Sequence, residues 1–191
     1  MAAGGARGER RDEPLRWADL ASVPRLAAVA HDRLIAPGVL LVVTVRRDGT
    51  PRLSPVEPFV LDGDLWLSMM WHSRKAADLL RDERVLLHSI VTSREGRAGE
   101  VKVHGTAIDV HDPSLRQRYC EEVAVLGWRP EEPLFHLFRV DVRDVTYVRY
   151  AQSGDQYVAR WPPPREFVRR ATSATSVGPE EPLSELFAPT P

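Results

Sequence analysis

Two hydrophobic periods alternate along the chain. In "SVPRLAAVAHDRLI", Leu26, Val29, Ala30 and Leu34 recur at helical steps that place them on one side of a helix. Ser22 offers an N-cap for it, and Pro24 suits its first turn. The period then changes to that of a strand. "GVLLVVTVRRDGTPRLSPVEPFVLDGDLWLSMMW" holds three β-rich runs separated by "RDGT" and "LDGD". The Asp-Gly pair in each separator favours a tight hairpin, so the segment predicts an antiparallel meander. A short helix, "SRKAADLLRDERV" at residues 73–85, follows the third run. Beyond it, "VLLHSIVT" and "EVKVHGTAIDV" read as a fourth and fifth strand joined by the polar loop "SREGRAG".

In "DPSLRQRYCEEVAVLG", Asp112 as cap and Leu115, Tyr119, Val123 and Leu126 near helical spacing predict a second sizeable helix. The alternation in "LFHLFRVDVRDVTYVRY" runs Phe138, Val140, Val142 and resumes out of phase at Val145 and Tyr147, which predicts a sixth strand bent near Asp144. "QYVARW" offers a seventh. Short antiparallel strands with few helices bury their apolar faces best by closing into a small barrel, with the helix after the third strand capping one end. Residues 1–13, rich in Gly, Ala and charge, and 162–191, rich in Pro, Ser, Thr and Glu, show no periodicity and are expected to be mostly disordered. Residues 14–161 then form one domain.

Composition excludes several functions. The 191 residues include 26 basic and 27 acidic ones, well mixed, for a net charge of −1, which argues against a nucleic-acid partner. The single cysteine, Cys120, excludes an intrachain disulfide and suits a reducing cytoplasm, where it is expected as a small apolar residue of the second helix. No apolar run reaches the ~20 residues that span a bilayer, so a soluble cytoplasmic protein without a membrane partner is expected. The histidines at 31, 72, 88, 104, 111 and 136 show no HxxxH or HxH spacing, which gives no indication of a metal site. Neither a GxSxG elbow, a Walker loop nor a GxGxxG fingerprint occurs.

The start of the helix at 73–85 is where chemistry concentrates. Arg74 and Lys75 fall in its first turn, where free N–H groups and the macrodipole favour negative charge by about 0.3–1 kcal/mol per group. Cations there repel the helix end unless they share an anion. Ser73 as N-cap, the free N–H groups and two positive side chains together suit a phosphate. The competing reading pairs Arg74 with Asp78 at i,i+4 and leaves Lys75 merely solvated.

The run "LWLSMMWHSRKAADLLRDERVLLHS", preceded by "GTPRLSPVEPFVLDGD" and followed by "EVKVHGTAIDV", resembles the pyridoxamine 5′-phosphate oxidase-like superfamily over residues 39–150. The resemblance implies a mainly β fold: a six- to seven-stranded antiparallel split β-barrel of Greek-key type with capping helices. It also implies a homodimer with FMN in the cleft between protomers. Ser73, Arg74 and Lys75 match the residues that hold the FMN 5′-phosphate in that family. Ser54, Pro55 and Val56 match the strand whose backbone runs along the flavin ring, and Ser68 and Met69 match paired positions just ahead of the phosphate helix. Glu100 stands where relatives often carry a Gln that bonds the ring; a carboxylate there accepts from N3–H but repels an anionic reduced ring.

True pyridoxamine phosphate oxidases carry an Arg-x-His-x-Arg-like element, and "ARWPPPREFVRR" has no histidine, although Trp161 resembles the family's terminal Trp. The resemblance therefore implies a broader flavin oxidoreductase, with hydride transfer at flavin N5 and a small-molecule substrate, and names no side-chain acid or base. Related families bind a deazaflavin coenzyme, for which Arg52 and Arg94 offer further cations, or haem, for which His72 is a candidate ligand, so the alternatives are a deazaflavin-dependent reductase or a non-catalytic module that binds flavin or haem. Trp71, Trp128 and Trp161 are candidates to line the cleft.

Overall fold

The computed structural model describes residues 14–183. Its barrel is built from β1 (Leu40–Val45), β2 (Pro51–Val56), β3 (Pro58–Leu61), β4 (Asp64–Met70), β5 (Arg84–His88), β6 (Glu100–Asp109) and β7 (Phe135–Tyr150). Every pairing is antiparallel: β2 with β1, β1 with β5, β5 with β6, β6 with β7, β7 with β4 and β4 with β3. Only Glu57 separates β2 from β3, so the circuit returns to its starting strand and the sheet closes. This is a split barrel in which one run of chain serves both sides of the seam. Its interior is a single core that includes Val42, Leu67, Met69, Val103 and Phe138.

Local chemistry explains the turns. At the β3–β4 hairpin Asp62 and Gly63 have φ of 55° and 82°, the left-handed pair that a two-residue type I′ turn requires. The bend predicted near Asp144 is a bulge. His104 faces Asp144, but its neighbour Gly105 faces Val142, which leaves Arg143 as an extra residue on β7. That one residue lets Val142 and Val145, three positions apart, both enter the core. Gly105 is needed opposite it, because a Cβ there would lie 2.6 Å from the Asp141 carbonyl oxygen.

The first helix is shorter than its pattern predicts. A 3₁₀ turn (Trp17–Ser22) leads into α1 (Pro24–Ala30), which passes into a π-helical turn (His31–Ile35). Leu26, Ala30 and Leu34 are fully buried. Ser22 is not the N-cap; Val23 occupies that place. With the chain already turning through Ser22, its hydroxyl donates to the Asp19 carbonyl (2.7 Å) and accepts from Trp161 Nε1 (3.1 Å). α2 (Arg74–Arg81) follows β4, and α3 (Pro113–Val125) packs Tyr119 and Val123 against Trp66, Phe135 and Leu137 in a second layer outside the barrel. Asp112 caps α3, accepting from the Leu115 N–H at 2.9 Å.

The expectation of a loose tail from 162 onward fails for most of that segment. β8 (Gln156–Trp161), β9 (Arg165–Ser173) and β10 (Ser176–Pro182) extend the sheet from the C-terminal half of β7. Phe167 and Val168 are each only 1% exposed, and Leu183 packs against the core. Polar composition hid these strands because most of their residues face solvent, where ion pairs such as Arg165–Glu180 (2.6 Å) link β9 to β10. The division of β2 from β3 and the two added strands account for ten strands where six to seven are predicted. The ordered domain thus runs past 161, while residues 1–13 and 184–191 lie outside the described residues. Among the described residues no helix is long and apolar enough to cross a membrane.

Candidate functional site

α2 starts where β4 ends. The Ser73 N–H donates to the Met70 carbonyl (3.0 Å) across a tight turn, in which His72 takes a left-handed φ of 58°, uncommon for a residue other than glycine. Ser73 then caps the helix, its Oγ accepting from the Ala76 N–H at 3.4 Å. The N–H groups of Arg74 and Lys75 precede any intrahelical acceptor and remain available at the helix end.

A buried carboxylate fixes the helix to the barrel. Asp78, 4% exposed, accepts from Arg52 Nε (2.6 Å) and Thr44 Oγ1 (3.0 Å) through one oxygen, and its other oxygen faces Arg81 at 3.4 Å. Arg81 also donates to the Val45 carbonyl. Desolvation pushes the Asp78 carboxyl up, but hydrogen bonds from Arg52 and Thr44 and the Arg52 charge outweigh it and hold the group below the ordinary carboxylate range.

This arrangement removes the competing reading of Arg74. Asp78 is engaged by Arg52, Thr44 and Arg81, and Arg74 is exposed with neither hydrogen bond nor ion pair among the described residues. Among the same residues Lys75 makes one long contact, from Nζ to the Pro55 carbonyl (3.5 Å). Two cations without an ion pair among the described residues thus share the first turn with free N–H groups and a helix dipole of the same sign, a set of donors that fits a phosphate.

The structure groups the sequence-derived residues unequally. Ser73, Arg74 and Lys75 adjoin β2 through the Lys75–Pro55 contact, and Ser54 and Val56 flank Pro55 on that strand. Val56 is buried in the barrel core. Met69 is also in the core, whereas Ser68 faces the α3 layer. The Ser68 Oγ is buried without a partner at hydrogen-bonding geometry, yet close enough to the Tyr119 hydroxyl to oppose the upward push that burial gives that phenol. Glu100 is further away. Pro55, Leu41, His88 and Lys102 form one lateral row across β2, β1, β5 and β6, which at ~4.8 Å per strand spans about 14 Å. Glu100 lies on that same outer face, two residues before Lys102, paired with Lys102 and 3.6 Å from His88 Nε2.

Glu100 and Arg94 line an open cleft of about 470 Å³ with Val91, Arg97 and Tyr150. A second, of about 680 Å³, adjoins the β9–β10 turn. Neither includes a residue of α2. Among the candidate tryptophans, Trp161 is buried in the core and Trp128 packs edge-on to Tyr119 and Phe135. Trp71 stacks on His136, a contact invisible in sequence because it depends on the β4–β7 register. Arg52 is committed to Asp78 through Nε, while its Nη groups make no hydrogen bond among the described residues. Among those residues no group of three or more His, Cys, Asp or Glu is placed to hold a metal.

Fold and site together define a split β-barrel protein whose α2 start, beside β2, carries the exposed Arg74 and the half-buried Lys75 without an ion pair among the described residues. The family model described as pyridoxamine 5′-phosphate oxidase matches residues 26–149, and the chain belongs to that family. Among solved structures it is similar to PhzG from Burkholderia lata 383 in complex with tetrahydrophenazine-1-carboxylic acid, at 13% identity and a TM-score of 0.53, over 90% of this chain and 95% of that one. A putative pyridoxamine 5′-phosphate oxidase from Listeria innocua is similar at 15% identity and a TM-score of 0.52, over 64% and 94%. A haem-binding protein from Mycobacterium smegmatis is similar at 22% identity and a TM-score of 0.50 over 63% of this chain, which spans only 53% of that longer protein. At these identities the likeness concerns the fold. No match is found among curated protein sequences.

Proposed function

We propose that the protein is an FMN-dependent oxidoreductase acting on a small molecule. The observation that carries this reading is the pair Arg74 and Lys75, left unneutralised at the capped start of α2 while the nearby Asp78 is held by other partners. Ser73, Arg74 and Lys75 would hold the phosphate, and the β2 backbone at Ser54, Pro55 and Val56 would border the ring. A bound flavin supplies hydride transfer at N5; the chain supplies orientation and electrostatics. Glu100, already paired with Lys102, is partly neutralised, which softens its repulsion of an anionic ring. Arg52, engaged by Asp78, offers less to the longer anionic tail of a deazaflavin than its sequence position suggests.

The visible spectrum of freshly purified protein tests the cofactor. A flavin band supports the reading; a deazaflavin band or a sharp Soret band would replace it with one of the rival cofactors.

The cofactor cleft also calls for a second copy. On the outer sheet face Leu41, Val43, Leu86 and the 61% exposed Leu53 form an apolar surface beside Pro55. A homodimer that covers this face would complete the cleft. Light scattering at micromolar concentration should report twice the chain mass. A monomer binding FMN stoichiometrically would overturn the shared-cleft arrangement.

A further inference from the structure

The cleft between the β7–β8 turn and the β9–β10 hairpin has no part in the flavin reading. Its volume of about 680 Å³ falls within the roughly 300–1,000 Å³ of small-molecule sites, but its walls are the reverse of the usual apolar lining. Gln152, Gln156, Thr172, Ser173 and Ser176 face it with amides and hydroxyls, Tyr150 brings one aromatic ring, and among the described residues that line it none is charged. The charged groups of the flanking strands are turned on one another instead. Asp155 accepts from the Ala171 N–H (2.8 Å) and from Arg170 (3.1 Å), and Arg170 also reaches Glu181 (3.4 Å).

A bulge organises the hydroxyls. Ser176 faces Ser173 while Val177 faces Ala171, so Thr172 is an extra residue on β9. In a regular strand Thr172 and Ser173 would point to opposite faces, whereas here the hydroxyls of both meet Ser176 Oγ at 2.7 Å. Three O–H groups share these two contacts and donate to no other acceptor among the described residues, which leaves one hydroxyl hydrogen and several lone pairs for a ligand. The Gln152 and Gln156 side chains make no hydrogen bond among the described residues, so each offers two donors and an acceptor as well.

This lining selects the ligand. A phosphate or carboxylate would find no cation among the residues of this cleft, and a flat apolar ring would strip water from the amides and hydroxyls without replacing its hydrogen bonds. A molecule dense in uncharged donors and acceptors, with C–H faces that suit an aromatic ring, meets both conditions. We propose that this cleft binds a neutral saccharide, whose hydroxyls exchange hydrogen bonds with Gln152, Gln156 and the Thr172, Ser173 and Ser176 trio while Tyr150 packs against its C–H face. The site includes no residue of α2 and is independent of the flavin reading.

Saturation-transfer NMR and calorimetric titration of the full chain with glucose, maltose, trehalose and glucuronate test it, with thermal melting to show that each variant is folded. Wild type is expected to bind at least one of the neutral sugars saturably, and glucuronate no more tightly than glucose. Gln152→Ala should weaken the bound sugar roughly twofold to tenfold, the loss of one uncharged hydrogen bond, and Thr172→Val/Ser176→Ala should weaken it further. If the double variant fails to fold, Gln152→Ala in the exposed turn decides alone. Saturable binding by none of the neutral sugars, or an affinity that Gln152→Ala leaves unchanged, overturns the proposal. A preference for glucuronate over glucose would place recognition on Arg94 and Arg97 of the neighbouring cleft and overturn it too. Each of these results leaves the flavin reading intact.

Discussion

Replacing Arg74 and Lys75 together with glutamine is expected to weaken FMN binding at least tenfold and to leave riboflavin binding nearly unchanged. Each charge-assisted bond to a phosphate is worth about 1.5–3 kcal/mol, and every 1.4 kcal/mol is tenfold in affinity. Riboflavin shares the ring and side chain but lacks the phosphate, so it reports whether the barrel itself is disturbed. The apo-protein should move the other way. Among the described residues neither cation has a carboxylate partner, and removing each relieves about 0.3–1 kcal/mol of repulsion with the helix end. Thermal melting should therefore show the apo variant slightly more stable than wild type and gaining less from added FMN. Equal losses for FMN and riboflavin would place the damage in the fold. Unchanged FMN affinity would remove the main support for the cofactor.

The difference between a phosphate grip and a solvated helix end was only half legible in the sequence. The strand pattern, the Asp-Gly hairpins and the misplaced cations are local features, and local features survive in one dimension: the Asp62-Gly63 turn and the Ser73 cap both form. Even the β7 bulge is written in the sequence, since Val142 and Val145 change phase around Arg143. What decides the role of Arg74 is long-range. Asp78 lies one helical turn away in sequence, yet it is taken by Arg52 and Thr44 from the β1–β2 hairpin, partners that only the folded barrel brings within reach. The same limit hid the Trp71–His136 stack, which needs the β4–β7 register, and the separation of Glu100 from α2, which needs the strand order. Strands β9 and β10 are illegible in the sequence for another reason. Their ladder encloses only a short apolar pair, Phe167 and Val168, within residues that otherwise face solvent, so composition outweighed a two-residue signal.

Asp78→Ala should be the most destabilising single change near the site, at about 3 kcal/mol. Removing one partner of a buried ion pair costs about 3–5 kcal/mol, and the lower end applies because Arg52 and Arg81 retain partial access to water. The alanine would leave the buried Thr44 hydroxyl without its acceptor and free the Arg52 guanidinium, and α2 would lose its tie to the β1–β2 hairpin. Asp78→Asn keeps an acceptor for Thr44 and should cost less. The pH dependence follows from the lowered carboxyl. A group whose folded pKa lies below its unfolded value contributes stability that is complete above the unfolded pKa and disappears as pH falls through the folded one. Wild type should therefore lose stability on acidification through the carboxylate range, and the gap between wild type and Asp78→Asn should narrow there. Other carboxyls, such as Asp82, held at about 2 chiefly by the Arg84 hydrogen bond, titrate in both proteins and cancel in the difference. Urea unfolding of the two proteins at neutral and acidic pH reads that difference directly. A gap that stayed constant with pH would mean that Asp78 anchors α2 by shape rather than by charge, and that Arg52 is freer to reach a ligand than its contact with Asp78 implies.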